Sequence, residues 1–253
     1  MLNIILPSLP YQRIIDPMWQ EESDLARQHG HAVCLFDAEQ EKLYAQPDLG
    51  RPTLYRGWML TEAEYEKLAA LTPLLVPVEQ YLASHRADGW YAALAGFTPK
   101  SVFVAANAAS APIAALLASS DRCFVKGLSK SFGASSVVHS LAEFETLLHQ
   151  HSVPADEKLF VREFVPLSTQ PEQRFFAVRD QAFGATDQPF PDLLKPALSA
   201  LQSRWFYTVD VAHTPQGQPI IIEVGDGQVS DTKEWSATEL YDVVLPKLLA
   251  AIG

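Results

Sequence analysis

Tyr207-Thr-Val-Asp-Val-Ala212, then Thr214-Pro-Gln-Gly-Gln218, then Ile220-Ile-Ile-Glu-Val-Gly-Asp-Gly227: this stretch decides the reading of the chain. Two apolar runs separated by a Pro/Gly turn predict a β-hairpin. If the hairpin is symmetric about Gln216-Gly217, Asp210 faces Glu223 across the strands. Such cross-strand pairs lie only ~5 Å apart, so the two carboxylates repel unless positive charge lies between them. A divalent cation supplies that charge most economically. Oxygen ligands without a nearby His or Cys suit Mg²⁺ or Mn²⁺. The alternative is a solvated hairpin face with two unrelated acids. Against it stands the setting, Val209-Asp-Val211 and Ile220-Ile-Ile222, which is apolar on both faces and therefore suggests a covered sheet.

Outward from the hairpin, the 253 residues carry 48% hydrophobic side chains and a net charge of −11. That balance suits a globular chain and leaves no basic field for nucleic acid or an anionic membrane. No run is long and apolar enough for a membrane helix, and no signal peptide is apparent. The two cysteines, Cys34 and Cys123, sit in apolar runs and read as buried free thiols. A cytoplasmic setting is the expectation, with a homodimer the default assembly.

Residues 1–75 read as a small α/β unit: strands at Asn3–Leu6, Ala32–Phe36 and Leu54–Leu60, a helix opened by Asp16-Pro17, and a helix opened by the capping box Thr61–Glu64. Residues 76–158 hold linker helices, including one over Val78–Leu94, and a first lobe. Residues 159–253 form a second lobe closed by an amphipathic helix in the tail from Ser230. Strands are expected at Cys123–Lys126, Ala134–His139, Leu159–Val165 and Arg174–Arg179.

Three further elements carry charge into apolar strands. Lys126 ends Cys123-Phe-Val-Lys126 and precedes the loop Gly127-Leu-Ser-Lys-Ser-Phe-Gly133, whose amides and Lys130 can fold over phosphates. No GxxxxGK[ST] or GxGxxG motif occurs. Val161-Arg-Glu-Phe-Val165 leads into Pro166, where the chain leaves its sheet and offers free backbone groups to a base edge. Glu172 and Arg174 begin the next strand, with Arg174 on the face of Phe176 and Val178, where it needs an anion.

The ordered set Phe124-Val-Lys126, Val161–Val165, Glu172-x-Arg174 and Asp210…Glu223 resembles the ATP-grasp superfamily, and within it the subgroup marked by one conserved arginine and two lysines. The resemblance implies an α/β pre-grasp domain followed by a two-lobed α+β ATP-grasp fold. It also implies an ATP- and Mg-dependent ligase that joins a carboxylate to an amine, on small-molecule or peptide substrates, through an acyl phosphate. Lys126, Lys130 and Arg174 fall on the phosphates. Arg162, Glu163 and Val165 fall at adenine, Glu172 falls at ribose, and Asp210 and Glu223 fall at the metal. Arg162 stands where many members carry an acid facing the adenine amino group. Gly225 stands where many carry a metal-binding Asn, with Asp226 or Gln228 as candidate substitutes. Arg174 is the candidate for a missing basic residue before Asp210, and Lys100 is the candidate second upstream lysine. Gln228, Asp231 and Trp235 are placed to meet a substrate. A kinase that stops at phosphorylation and a non-catalytic nucleotide-binding module are the competing readings.

Overall fold

A computed structural model describes residues 1–253. The first sheet contains β1 (Asn3–Pro7), β2 (Ala32–Asp37), β3 (Lys42–Leu43) and β4 (Thr53–Tyr55), in the order β3-β2-β1-β4. β1 runs parallel to both β2 and β4. Every residue of β1 is buried, as expected of a parallel strand covered on both faces. Asp16 accepts a hydrogen bond from Met18 N (3.0 Å) and caps the turn Pro17–Trp19, which leads into the helix Gln20–Gln28. The capping box is present: Thr61 N donates to Glu64 (2.6 Å), and Glu64 N donates to Thr61 Oγ1 (3.3 Å). The expected strand Leu54–Leu60 is shorter, because Arg56 onward turns away to bond the chain at Gly227 and Gln228.

The second sheet is antiparallel: β5 (Ser101–Ala105), β6 (Cys123–Gly127), β7 (Val137–Val138) and β8 (Lys158–Glu163), ordered β5-β8-β6-β7. Residues 134–139 are mostly not strand. Gly133–Ser136 forms a tight helical turn held by Phe132 N donating to Ser136 Oγ (2.8 Å), and only Val137 and Val138 pair with β6. β8 pairs with β5 and β6. The division between the two lobes' sheets therefore falls after β8, not at residue 158 as expected.

The third sheet is β9 (Gln173–Val178), β10 (Gln181–Gly184), β11 (Tyr207–His213) and β12 (Pro219–Asp226), ordered β10-β9-β11-β12 and antiparallel throughout. The expected helix Val78–Leu94 is two helices, Val78–His85 and Ala87–Leu94, broken at Arg86, whose backbone is extended (φ −98°, ψ 128°). Gly89 permits the break: a Cβ there would lie 2.4 Å from Ala83 Cα and 2.6 Å from its carbonyl oxygen. Freed by the break, Ala87 N donates to Leu128 O (2.8 Å) and ties the helix pair to the Gly127–Gly133 loop.

One core of 25 buried residues joins the first sheet to Phe176, Val178, Phe206 and the C-terminal segment Trp235–Leu248. Each such side chain contributes roughly 1.5–3 kcal/mol, so the N-terminal unit and the end of the chain stabilise one another. The final helical segment begins at Ala237, not near Ser230. Its cap is Ser236, which accepts from Glu239 N (3.1 Å) while Glu239 reaches back to Ser236 N (3.0 Å).

Candidate active site

Asp210 and Glu223 are register partners, and Arg174 on β9 is the register partner of Asp210 on its other side. Three strands thus carry a row Arg174–Asp210–Glu223 across one sheet. The pairing shifts by one residue between Asp210 and Val211, a bulge of the kind that re-aims side chains beside functional sites.

The two acids are not joined by one charge; each has its own cations. Arg174 binds Asp210 in a fork, Nε to Oδ1 at 2.8 Å and Nη2 to Oδ2 at 2.7 Å. Lys233 Nζ donates to the same Asp210 Oδ2 at 2.9 Å and also pairs with Glu172. Glu223 is paired with Lys126, reached from β6 of the opposing sheet. Arg174 also pairs with Asp231. The converging cations are therefore one arginine and two lysines. Lys233 is the member that sequence reasoning missed. It lies in the irregular loop after the hairpin, with no periodic signal, and its backbone is left-handed (φ 46°). That conformation costs a non-glycine residue about 1 kcal/mol and is consistent with a position fixed for its side chain.

Burial pushes the Asp210 carboxyl up, but Arg174 and Lys233 outweigh it and hold the group below the usual carboxylate range. Glu172 goes the other way: burial, with Asp210 nearby, raises it despite Lys233. Burial alone would lower Lys233, yet the facing carboxylates raise it. These shifts describe a dense, desolvated charge cluster, the kind of environment that functional sites concentrate.

A cavity of about 380 Å³ opens beside this cluster, walled by Phe124 and Val137 of the second sheet and by Ile220 and Ile222 of the third. Arg162, Glu163, Val165 and Glu172 line it as well. Phe164 and Val165 make no main-chain hydrogen bond within the chain, so this segment offers free donors and acceptors at the cavity's edge. Arg162 donates to Ile222 O (2.8 Å) and lies 4.9 Å from the Phe160 ring centroid. A smaller cavity of about 180 Å³ is lined by Ser129, Arg174, Glu223 and Asp231. The largest cavity, about 760 Å³, is a charged trough between the Gly127–Phe132 loop and residues 153–158, on the far side of that loop.

Lys130 is exposed, with no side-chain partner, at the lip of a cavity formed with Met59, Glu62 and Arg86; it does not join Lys126, Arg174 and Lys233. Lys100 is exposed and contributes its carbonyl to Glu163 N (2.8 Å). Neither candidate substitute for the metal-binding Asn reaches the acids. Asp226 is fully buried and accepts from Gln228 N (3.0 Å) and Nε2 (3.1 Å). Gln228 is buried between Tyr55 N (3.1 Å) and Tyr65 Oη (2.8 Å), where it joins the first sheet to the hairpin. At Gly225 a Cβ would lie 2.6 Å from Thr208 Oγ1 and 2.8 Å from Ser230 Oγ, so two hydroxyls occupy the space an Asn would need. Trp235 is a core residue: it is edge-on to Phe176 and its Nε1 donates to Arg174 O (2.9 Å). Asp231 is exposed beside Arg174.

Asp210 and Glu223 offer hard carboxylate oxygens, and no group of three or more His, Cys, Asp or Glu forms a ligand cage. That donor set fits Mg²⁺, which commonly takes one or two carboxylates and completes its shell with phosphate oxygens and water. It does not fit a closed zinc site.

The chain resembles several solved structures over nearly its whole length. D-cycloserine synthetase DcsG matches with a TM-score of 0.67 at 14% identity, covering 98% of this chain and 99% of that one. A RimK domain ATP-grasp protein from Sphaerobacter thermophilus matches at 0.65 and 19%, covering 96% and 99%. The ATP-grasp ligase PsnB, in complex with a minimal precursor, Mg and ADP, matches at 0.64 and 12%, covering 97% of each chain. No curated protein matches significantly in sequence. Residues 73–245 match an ATP-grasp domain family, family 3 of the clade named for one arginine and two lysines. With that match spanning the second and third sheets and every residue of the charge cluster, the chain belongs to the ATP-grasp superfamily, in the third family of that arginine-and-two-lysine clade.

Proposed function

We propose that the protein is an ADP-forming ligase that joins a carboxylate to an amine. The observation that carries this reading is the convergence of Lys126, Arg174 and Lys233 with Asp210 and Glu223 between two facing sheets, next to an apolar cavity of base-like dimensions. The triphosphate lies between the sheets, with its base in the cavity and its phosphates over the charge cluster. Lys126, Arg174 and Lys233 then exchange carboxylate partners for phosphate oxygens. Asp210 and Glu223 hold Mg²⁺, which neutralises phosphate charge when bound. Glu172, now relieved of Lys233, faces the ribose.

The reaction has two steps. A substrate carboxylate oxygen attacks the γ-phosphorus, the bond from that phosphorus to the bridging oxygen breaks, and ADP leaves with the electron pair. The amine nitrogen then attacks the acyl carbon, phosphate leaves and the amine's extra proton passes to solvent. Phosphoryl transfer of this kind depends mainly on positioning and charge neutralisation, which is what the cluster supplies. No protein nucleophile is required. The resemblance to a synthetase and to a peptide ligase bound to Mg and ADP supports the same class.

The test is ADP release with candidate carboxylates in the presence of hydroxylamine, which traps an acyl phosphate as a hydroxamate. Carboxylate-dependent ADP release with hydroxamate is the expected result. A stable phosphorylated product and no hydroxamate would identify a kinase. The closed space at Gly225 favours a second reading, a binding module without turnover; nucleotide binding with no ADP release under any substrate mixture would establish it.

A further inference from the structure

The base cavity contains an unusual group for a site that receives adenine. Arg162 is 6% exposed and lines the cavity. Its guanidinium has no carboxylate partner. Nη1 donates to Ile222 O at 2.8 Å, Nη2 has only a long contact of 3.4 Å to Thr98 Oγ1, and the buried Nε has no partner at all. Burial brings its pKa down to about 10, which still leaves the group charged at neutral pH. A buried cation short of acceptors is costly, and a bound ligand that supplies acceptors relieves the cost.

Arginine offers donors only and never accepts. The purines differ in what they present to it. Guanine and hypoxanthine carry a keto oxygen at position 6 next to N7, two acceptors side by side. Adenine carries an amino donor there, which opposes a guanidinium donor to donor. Arg against the O6 and N7 of guanine is the commonest base-specific contact in nucleic-acid recognition for this reason. The free main-chain groups of Phe164 and Val165 provide both a donor and an acceptor and so suit either base. Arg162 is the group at the cavity that discriminates.

Resting on the nucleotide-binding reading above, we infer that the cavity reads a 6-oxopurine, so that GTP and ITP bind at least as tightly as ATP, with Arg162 as the residue that reads position 6. The experiment is calorimetry of the full chain with the non-hydrolysable β,γ-imido analogues of ATP, GTP and ITP in Mg²⁺, on the wild type and on Arg162→Gln. ITP separates position 6 from the 2-amino group of guanine. The expected result is that the GTP and ITP analogues match or exceed the ATP analogue. In Arg162→Gln the ratio shifts toward ATP by tenfold or more, because the Gln carbonyl accepts from the adenine amino group. Each ratio is taken within one protein, so a loss of folded variant does not distort it, and the wild-type series needs no variant. An ATP analogue tighter than both others in the wild type overturns the inference and leaves the ligase reading standing. An unchanged ratio in Arg162→Gln does the same. Failure of all three to bind overturns both.

Discussion

Asp226 tests whether the seam under the active site is as dry as its geometry indicates. The residue is fully buried, Oδ1 accepts from Gln228, and Oδ2 has no partner. Burial, against the weaker opposing pull of Gln228, Arg56 and Arg204, raises its carboxyl to about 7. A raised folded-state value means that the native state holds the proton more tightly than the unfolded chain, whose carboxyl titrates near the ordinary value of 3.8. This group's contribution to stability is thus fully present below about pH 4 and is lost as pH rises toward about 7. Three units at 1.36 kcal/mol each give a change of roughly 4 kcal/mol over that window. Asp226→Asn keeps the acceptor for Gln228 and removes the titration. Urea unfolding of both proteins from about pH 4 to about pH 7 gives a difference curve. His31 and His85, both lowered to about 4 by burial first, tilt stability the opposite way, but they are common to both proteins and cancel. The variant is expected to gain on the wild type steadily as pH rises. Parallel curves would refute the argument and would mean that water reaches Asp226.

Lys126→Ala removes charge-assisted phosphate contacts worth roughly 1.5–3 kcal/mol, so calorimetry is expected to show Mg-ATP binding weakened about tenfold or more. Arg174→Met leaves Asp210, 3% exposed, with Lys233 as its only basic partner. Loss of a buried partner costs about 3–5 kcal/mol, readable in urea; a variant as stable as the wild type would show that solvent already reaches the pair. Gly225→Asn forces a side chain against Thr208 and Ser230 and is expected to destabilise by about 1–3 kcal/mol without gaining metal affinity.

The hairpin was legible because alternation, turn chemistry and two acids all pointed to one register, and Asp210 does face Glu223. What the sequence could not show was how those acids are neutralised when no ligand is bound. One arginine on the neighbouring strand, one lysine from the opposing sheet and one lysine from a loop share that task, and only the first two sit on periodic strands. Lys233 has no local pattern to betray it, since its role depends on where an irregular loop returns. The break at Arg86 was hidden for a related reason. Val78–Leu94 has good helical composition throughout, and only the close approach of Gly89 to Ala83 reveals the turn. Gln228 and Trp235 looked available for substrate because they follow the acids. Both instead serve the seam with the first sheet and the C-terminal core, contacts between segments distant in sequence.

The central claim is that Asp210 and Glu223 release their side-chain cations to a nucleotide and together hold its divalent ion. Electron paramagnetic resonance of Mn²⁺ measures this directly, in the wild type and in Asp210→Asn and Glu223→Gln, with and without a non-hydrolysable ATP analogue. The account predicts tight Mn²⁺ binding to the wild type only when the analogue is present, and its loss in either variant although each remains folded. Undiminished Mn²⁺ binding in both variants would contradict it.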